Sequence, residues 1–382
     1  MIGDNLEIYT FDYILEQALA DVPDELDKRQ GSIIYDAIAP ACARIAELVM
    51  QMRNIYSDTF ASTATDEALD NRVSEQGLTR YAATYALKRA NFYNADGNPI
   101  AVPVGVRIST VSDVEPILYA VESQYSENGQ AVAGSYNVRC ETAGAKGNDY
   151  SGPMNSVTYV RGLASIVMAE TIIPARDRET DDELRARYFD TVNNKPYGGN
   201  IAQYNQEVKA IPGVGEVQVY PTWNGGGTVK LSVIDATYNP CNSTFLQTLQ
   251  DKIDPASASG KGIGIAPIGH AVTVVTPTEL EVSVKLTVVL KSGYSLSQVT
   301  PLIQTAVTDY FNEVKREWGI ETPAGTYSAA IYLARVIVAA LQVPGVSNVP
   351  TVLLNGSSQD LILTESAQLQ QLPKLKEVIV NA

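Results

Sequence analysis

The sequence predicts a multidomain α+β protein: an N-terminal helical region, a small antiparallel β domain and two tandem α/β modules. Three observations carry this. Apolar residues recur every three or four positions in the first fifth of the chain. Gly and Pro then punctuate short β-favouring runs. Beyond residue 171, helical and strand patterns alternate. The expected divisions are 1–83, 84–170, 171–278 and 279–382, and a length of 382 residues suits several domains.

In the helical region, Phe11, Ile14, Leu15, Ala18, Leu19 and Val22 predict a helix from about Thr10 to Asp27. A second starts near Gly31-Ser32. Ile34, Ile38, Ala41, Ile45, Leu48, Met52 and Ile55 alternate spacings of four and three, an a/d seam three heptads long. Such a helix would span about 38 Å. Pro40 removes one backbone hydrogen bond, so the helix either kinks there or begins there. Thr65 as N-cap, Asp66 and Glu67 at the positive end and Gly77 as stop predict a third helix over Asp66–Gln76. The β domain should contain strands over Ile100–Val104, Val106–Val111, Leu118–Val121, Tyr136–Cys140 and Ser156–Val160.

Later, a helix opens after Thr180 with Asp181, Asp182 and Glu183 in its first turn, and another runs from Asn200 to Ala210. Strands Glu216–Tyr220 and Thr228–Asp235 flank the turn Trp223-Asn224-Gly225-Gly226-Gly227. A helix over Phe245–Ile253 follows. Leu280, Val282, Val284, Leu286, Val288 and Leu290 alternate with mostly polar residues, as in a half-buried strand. Helices Leu296–Trp318 and Ser328–Leu341 complete the pattern. Pro212-Gly213-Val214 and Pro344-Gly345-Val346 each end a helix and launch a strand, which suggests two related modules.

Composition excludes several function classes. The net charge of −15 argues against gripping phosphate backbones, so no nucleic-acid partner is expected. Residues 1–83 hold 6 basic and 15 acidic side chains, most of the excess. Ala329–Leu341 is too short to span a bilayer and contains Arg335, so no membrane insertion is expected. The start, Met-Ile-Gly-Asp-Asn-Leu-Glu, lacks the basic and apolar regions of a cleaved leader. Cys42, Cys140 and Cys241 are sparse and unpaired in spacing, which fits a reducing cytoplasm.

No reaction centre emerges. His270 is the sole histidine and reads as a turn residue. Gly260-Lys261-Gly262-Ile263-Gly264 lacks the Ser or Thr of a P-loop. Glu179, Asp181, Asp182 and Glu183 suit a helix start better than a metal site. Trp318 reads as packing, Trp223 as an exposed contact residue. We expect no catalytic residue, metal or cofactor. The candidate site is the seam Ile34, Ile38, Ala41, Ile45, Leu48, Met52 and Ile55, either packed in its own domain or shared with other chains.

Read in order, several motifs resemble the baseplate J-like family of contractile tails. Gly31-Ser32-Ile33 with Asp36 and Pro40 comes first, then Phe60, Leu69-Asp70 and Glu75-Gln76-Gly77-Leu78-Thr79-Arg80. Ala83-Thr84-Tyr85-Ala86 introduces the β domain. Pro103-Val104-Gly105-Val106 is a looser match; Gly147-Asn148 with Ser151-Gly152 follows. The strongest stretch is Asp177-Arg178-Glu179-Thr180-Asp181-Asp182-Glu183-Leu184-Arg185-Ala186-Arg187. Gly198-Gly199-Asn200, Tyr204, Pro212-Gly213-Val214 and Ala266-Pro267 with Gly269 complete the series. The resemblance implies a non-enzymatic wedge subunit of a phage or bacteriocin-like particle, assembled in the bacterial cytoplasm. Its implied partners are other wedge subunits, neighbouring copies, a central hub and spike, and sheath-initiating proteins. It implies a helical bundle that holds while ring contacts rearrange to start sheath contraction. The alternative is a tail-associated receptor- or carbohydrate-binding protein using exposed aromatics such as Tyr119, Tyr125, Tyr136 and Trp223.

Overall fold

The computed structural model describes residues 6–111, 115–127, 129–322 and 325–382. The residues Met1–Asn5 read for a leader lie outside these. The chain forms two compact units. One comprises the residues up to Tyr81 together with Glu179–Asn193; the other comprises Ala82–Arg178 and Asn194–Ala382.

The first unit is helical. Helix α1 spans Phe11–Ala20, with Thr10 Oγ1 accepting from Tyr13 N–H as N-cap. It ends before the predicted Asp27, because Pro23 follows in a turn that the helix cannot traverse. Helix α2 spans Ile33–Thr59. Ser32 caps it through Tyr35 N–H, and the helix runs through Pro40 rather than starting there. Helix α3 covers Asp66–Ser74. Thr65 stands at its N-cap position, but its side chain makes no cap bond. Asp181 Oδ2 accepts from Asp66 N–H instead, at 2.9 Å. Asp181 opens helix α4, Asp181–Asn193. The sequence pattern grouped this helix with the first α/β module. Its Leu184 and Tyr188 join Ala61, Ala64, Leu69, Val73 and Leu78 in one apolar core, so it packs with the N-terminal helices.

The second unit begins with a closed barrel. Strands β1 (Leu87–Tyr93), β2 (Arg107–Thr110), β3 (Leu118–Glu127), β4 (Gln130–Cys140), β5 (Gly152–Ser156) and β6 (Ser165–Ile173) pair in the order β1-β4-β3-β2-β5-β6. Every pairing is antiparallel. Phe92, Ile108, Tyr119, Val138 and Met168 fill the interior. Strands β1 and β6 escaped the sequence reading. Lys88 and Arg89 break the apolar pattern of the former, and Met-Ala-Glu sits within the latter. Ile100–Val104 is not a strand: Ile100 N–H goes to Phe92 O, and Val102 N–H goes to the Tyr136 hydroxyl. Ser156–Val160 contributes only its first residue to β5.

Two three-stranded sheets follow. In the first module, helix α5 (Ile201–Lys209) leads into β7 (Val214–Pro221), β8 (Thr228–Asp235), α6 (Ser243–Ile253) and β9 (Ala271–Val275). The middle strand β8 is antiparallel to β7 and parallel to β9. In the second, β10 (Thr278–Leu290) precedes α7 (Leu296–Glu317), β11 (Ala330–Ile331), α8 (Leu333–Leu341), β12 (Val346–Leu354), β13 (Leu361–Ile362) and β14 (Gln371–Asn381). Its middle strand β10 is antiparallel to β12 and parallel to β14. Both sheets therefore have one pattern with different wiring. In each, the antiparallel edge strand follows a helix and a Pro-Gly-Val turn. Gly213 and Gly345 take φ of +91° and +96°, which glycine adopts without a Cβ clash. Val214 N–H and Val346 N–H then bond back to Ile211 O and Val343 O, each at 3.2 Å.

Candidate assembly surface

The predicted seam divides along α2. Ile34 and Ile38 are half-buried. Ala41 is exposed, and Ile45, Leu48, Met52 and Ile55 keep 47%, 57%, 52% and 67% of their surface accessible. Helix α1 packs against α2, and about 100° round from the stripe Cys42 is buried while Ala46 and Val49 are half-buried. The seam is thus an apolar stripe that its own unit leaves largely open. The charge is concentrated here as well: residues 1–81 and 179–193 hold 8 basic and 20 acidic side chains, against 20 and 23 in the remainder.

Next to α2, largely enclosed arginines tie α3, α4 and the segments around them together. Arg80 is almost fully enclosed and pairs with Asp70 at 2.7 Å and Asp181 at 2.6 Å. Its Nη1 donates to Glu179 O. Arg187 forks onto both oxygens of Glu179, donates to Thr79 O and stacks over the Tyr81 ring at 4.0 Å. Arg185 donates to Ala61 O and Ala64 O. Forked guanidinium geometry suits such paired and backbone acceptors, which lysine could not satisfy equally. The acidic run is a helix start, as its position predicts: Thr180 and Glu183 bond reciprocally, side chain to backbone. Asp181 does more, joining α3 and Arg80, and those bonds hold its carboxyl below the usual range. Among the described residues, no group of His, Cys, Asp and Glu could hold a metal ion.

Other motifs also act as close-contact pins. Asn148 accepts from Ala175 N–H and donates to Ala175 O, both at 2.8 Å. A Cβ on Gly147 would lie 3.0 Å from Cys140 Sγ. Lys88, buried in the barrel, donates to Asn148 O and Tyr150 O at 2.6 and 2.7 Å. Asn200 caps α5 by accepting from Gln203 N–H. Gly199 leaves room for His270 and Pro267, each of which would lie 2.8 Å from an added Cβ.

His270 is more constrained than a turn residue. Its Nδ1 lies 2.8 Å from the Tyr204 hydroxyl, beside a cavity of about 120 Å³. Burial pushes that phenol up to about 12, so it stays protonated near neutrality. The 260–264 glycine loop is organised by buried Asp254, which accepts from Gly260 N–H, Ser259 Oγ and Val272 N–H. Gly225–Gly227 lies in the β7–β8 hairpin. All three cysteines are buried and free.

The aromatic residues offered for sugar or receptor contact are placed otherwise. Tyr119, Tyr125 and Tyr136 are buried in or against the barrel. Trp223 is half-buried beneath the Lys230 ammonium, 4.0 Å from its ring centre. β-strand alternation turned the three tyrosines inward, which residue type alone did not reveal. Trp318 is buried, as predicted.

The motifs touch one another in pairs, a pattern that a shared ancestral fold would preserve. Residues 196–276 match the Baseplate J-like central domain, and residues 282–381 match the Baseplate J-like protein C-terminal domain. The phage-like element PBSX protein XkdT of Bacillus subtilis is 32% identical over 374 residues, 97% of each chain. The chain belongs to the baseplate J-like family. The two matched spans of this baseplate J-like chain coincide with its two three-stranded sheets. Baseplate protein gp47 of Escherichia phage Mu is 28% identical over 179 residues, 45% of this chain and 48% of that one. A cryo-EM structure of the anti-feeding prophage baseplate has a TM-score of 0.41 and 11% identity, covering 94% of this chain and 90% of that one. The family makes this chain a structural protein of a phage-type baseplate.

Proposed function

We propose that this baseplate protein is a wedge subunit whose α2 stripe is shared with helices of other wedge subunits. The supporting observation is the accessible run Ile45, Leu48, Met52 and Ile55 on a helix that packs against α1 elsewhere. Completing the burial of four half-exposed apolar side chains would contribute about 3–6 kcal/mol. In this reading the bundle persists while the α/β modules, in contact with neighbouring copies and the hub, rearrange and pass the signal for sheath contraction. Assembly takes place in the bacterial cytoplasm.

The test is co-expression with the neighbouring tail genes, followed by sizing and imaging. Ile45→Asp should leave the second unit folded and abolish co-purification with a wedge partner. Retained co-purification at the native level overturns the shared bundle.

A further inference from the structure

The two α/β modules meet across a polar, buried junction. From the first, β7 supplies Gln218, whose Nε2 donates to Trp318 O at 2.8 Å, and whose Oε1 accepts from the Tyr220 hydroxyl at 2.7 Å. Val219 N–H donates to the Tyr327 hydroxyl at 2.8 Å. Lys230 of β8 reaches over to Ala367 O at 2.5 Å. From the second, Trp318 Nε1 donates both to Glu365 Oε1 at 3.1 Å and to Gln371 O at 2.9 Å. Glu365 belongs to a small loop closed by Thr364 and Gln371, which bond to each other. Its other oxygen, Oε2, is buried with no hydrogen-bond partner among the described residues. An apolar junction would be fused at every pH. Here the loop that receives Lys230 is seated on Trp318 by a carboxyl group with one oxygen unmet, and a buried unmet acceptor is costly when charged.

We propose that Glu365 is a proton-operated latch between the two α/β modules: neutral, it seats the 364–371 loop against Trp318; charged, it releases the loop and loosens the junction. The titratable groups around it leave this role to Glu365. Tyr220 and Tyr327 are held protonated by burial, the latter up to about 12. Glu216 is also raised by burial, but Lys209 lies 2.5 Å from it and opposes the shift. Glu321 lies near Tyr327, and Lys230 is committed to Ala367 O. Burial raises Glu365 to about 7, only partly offset by the polar hydrogens of Gln218, Trp318 and the Gln371 backbone around it. The folded junction therefore holds its proton more tightly than the unfolded chain. Its stabilisation is complete below the ordinary glutamate value of 4.5 and is lost as pH rises through about 7. The latch stands independently of the wedge reading.

Two tryptophans give two indole N–H signals in a ¹⁵N spectrum of the full chain. Between pH 5.5 and 8.5 the Trp318 signal should shift with a midpoint near 7. Amide exchange at Thr364 and Gln371, corrected for intrinsic rates, should quicken at least tenfold above the midpoint. Glu365→Gln should abolish both changes. Persistence of the titration in that variant assigns it to another group and overturns the latch. Should the variant fail to fold, ¹³C-carboxyl-labelled glutamate in the unaltered chain decides: a side chain titrating near 7 supports the latch, and none above 6 overturns it.

Discussion

Helices α2 and α7 are the two longest in the molecule, each amphipathic and each with an internal proline, Pro40 and Pro301. Their fates differ. On α7, Val299, Ile303, Val307, Tyr310 and Phe311 are all buried, packed with β10, β12 and α8 in one core. On α2, Cys42 is the one fully buried side chain among the described residues, and the longer apolar stripe lies open. Equal periodicity thus reports that a helix has an apolar face, not whose surface covers it. Helix α7 has a sheet of its own chain to cover it; α2 packs mainly on α1, with lighter contact to α3 and the 6–8 turn.

The contrast can be sharpened by substitution. Arg80→Ala should be as costly as a core truncation, because it leaves Asp70 and Asp181 without their shared cation. We expect a loss of about 3 kcal/mol in the unfolding of the helical unit, read by denaturant titration. An unchanged midpoint would mean that the arginine clasp does not hold α2's surroundings in place. Ile303→Ala, which empties a packed site on α7, should cost about 2–4 kcal/mol. Added salt should weaken partner binding at the acidic helical unit severalfold between about 0.05 and 0.3 M, measured by titration with the purified partner. Salt-independent binding would remove charge from the account. Ile45→Ala should be the smallest, within about 0.5 kcal/mol for the isolated chain. A cost comparable to that of Ile303→Ala would erase the distinction between the two helices.

Much of the fold was legible because local rules and packing agree. The alternation from Leu280 to Leu290 became β10, and the Asn-capped, Pro-Gly-stopped segment around Tyr204 became α5. Failures came where a distant partner satisfied a local group. Thr65 looked like a cap, but Asp181 supplies the bond from 115 residues away. Lys88 made β1 look unlike a strand, yet its ammonium is satisfied by two carbonyls of the 148–150 segment. The seam residues were visible by spacing, whereas their exposure was not. The arginine clasp left only a trace, the two charged motifs at 75–80 and 177–187, whose contact no spacing could announce.

The placement of α4 has a consequence for biogenesis. Leu69, Val73 and Leu78 cannot complete their core until Leu184 and Tyr188 have been synthesised. The ribosome must first make the whole barrel, and at ordinary elongation rates that takes on the order of ten seconds. The sticky flank of the nascent chain therefore matures late, after the intervening segment has had time to close on itself. Until then Leu69, Val73 and Leu78 stay uncovered on unfinished chains, an apolar patch open to association between neighbours on one polysome.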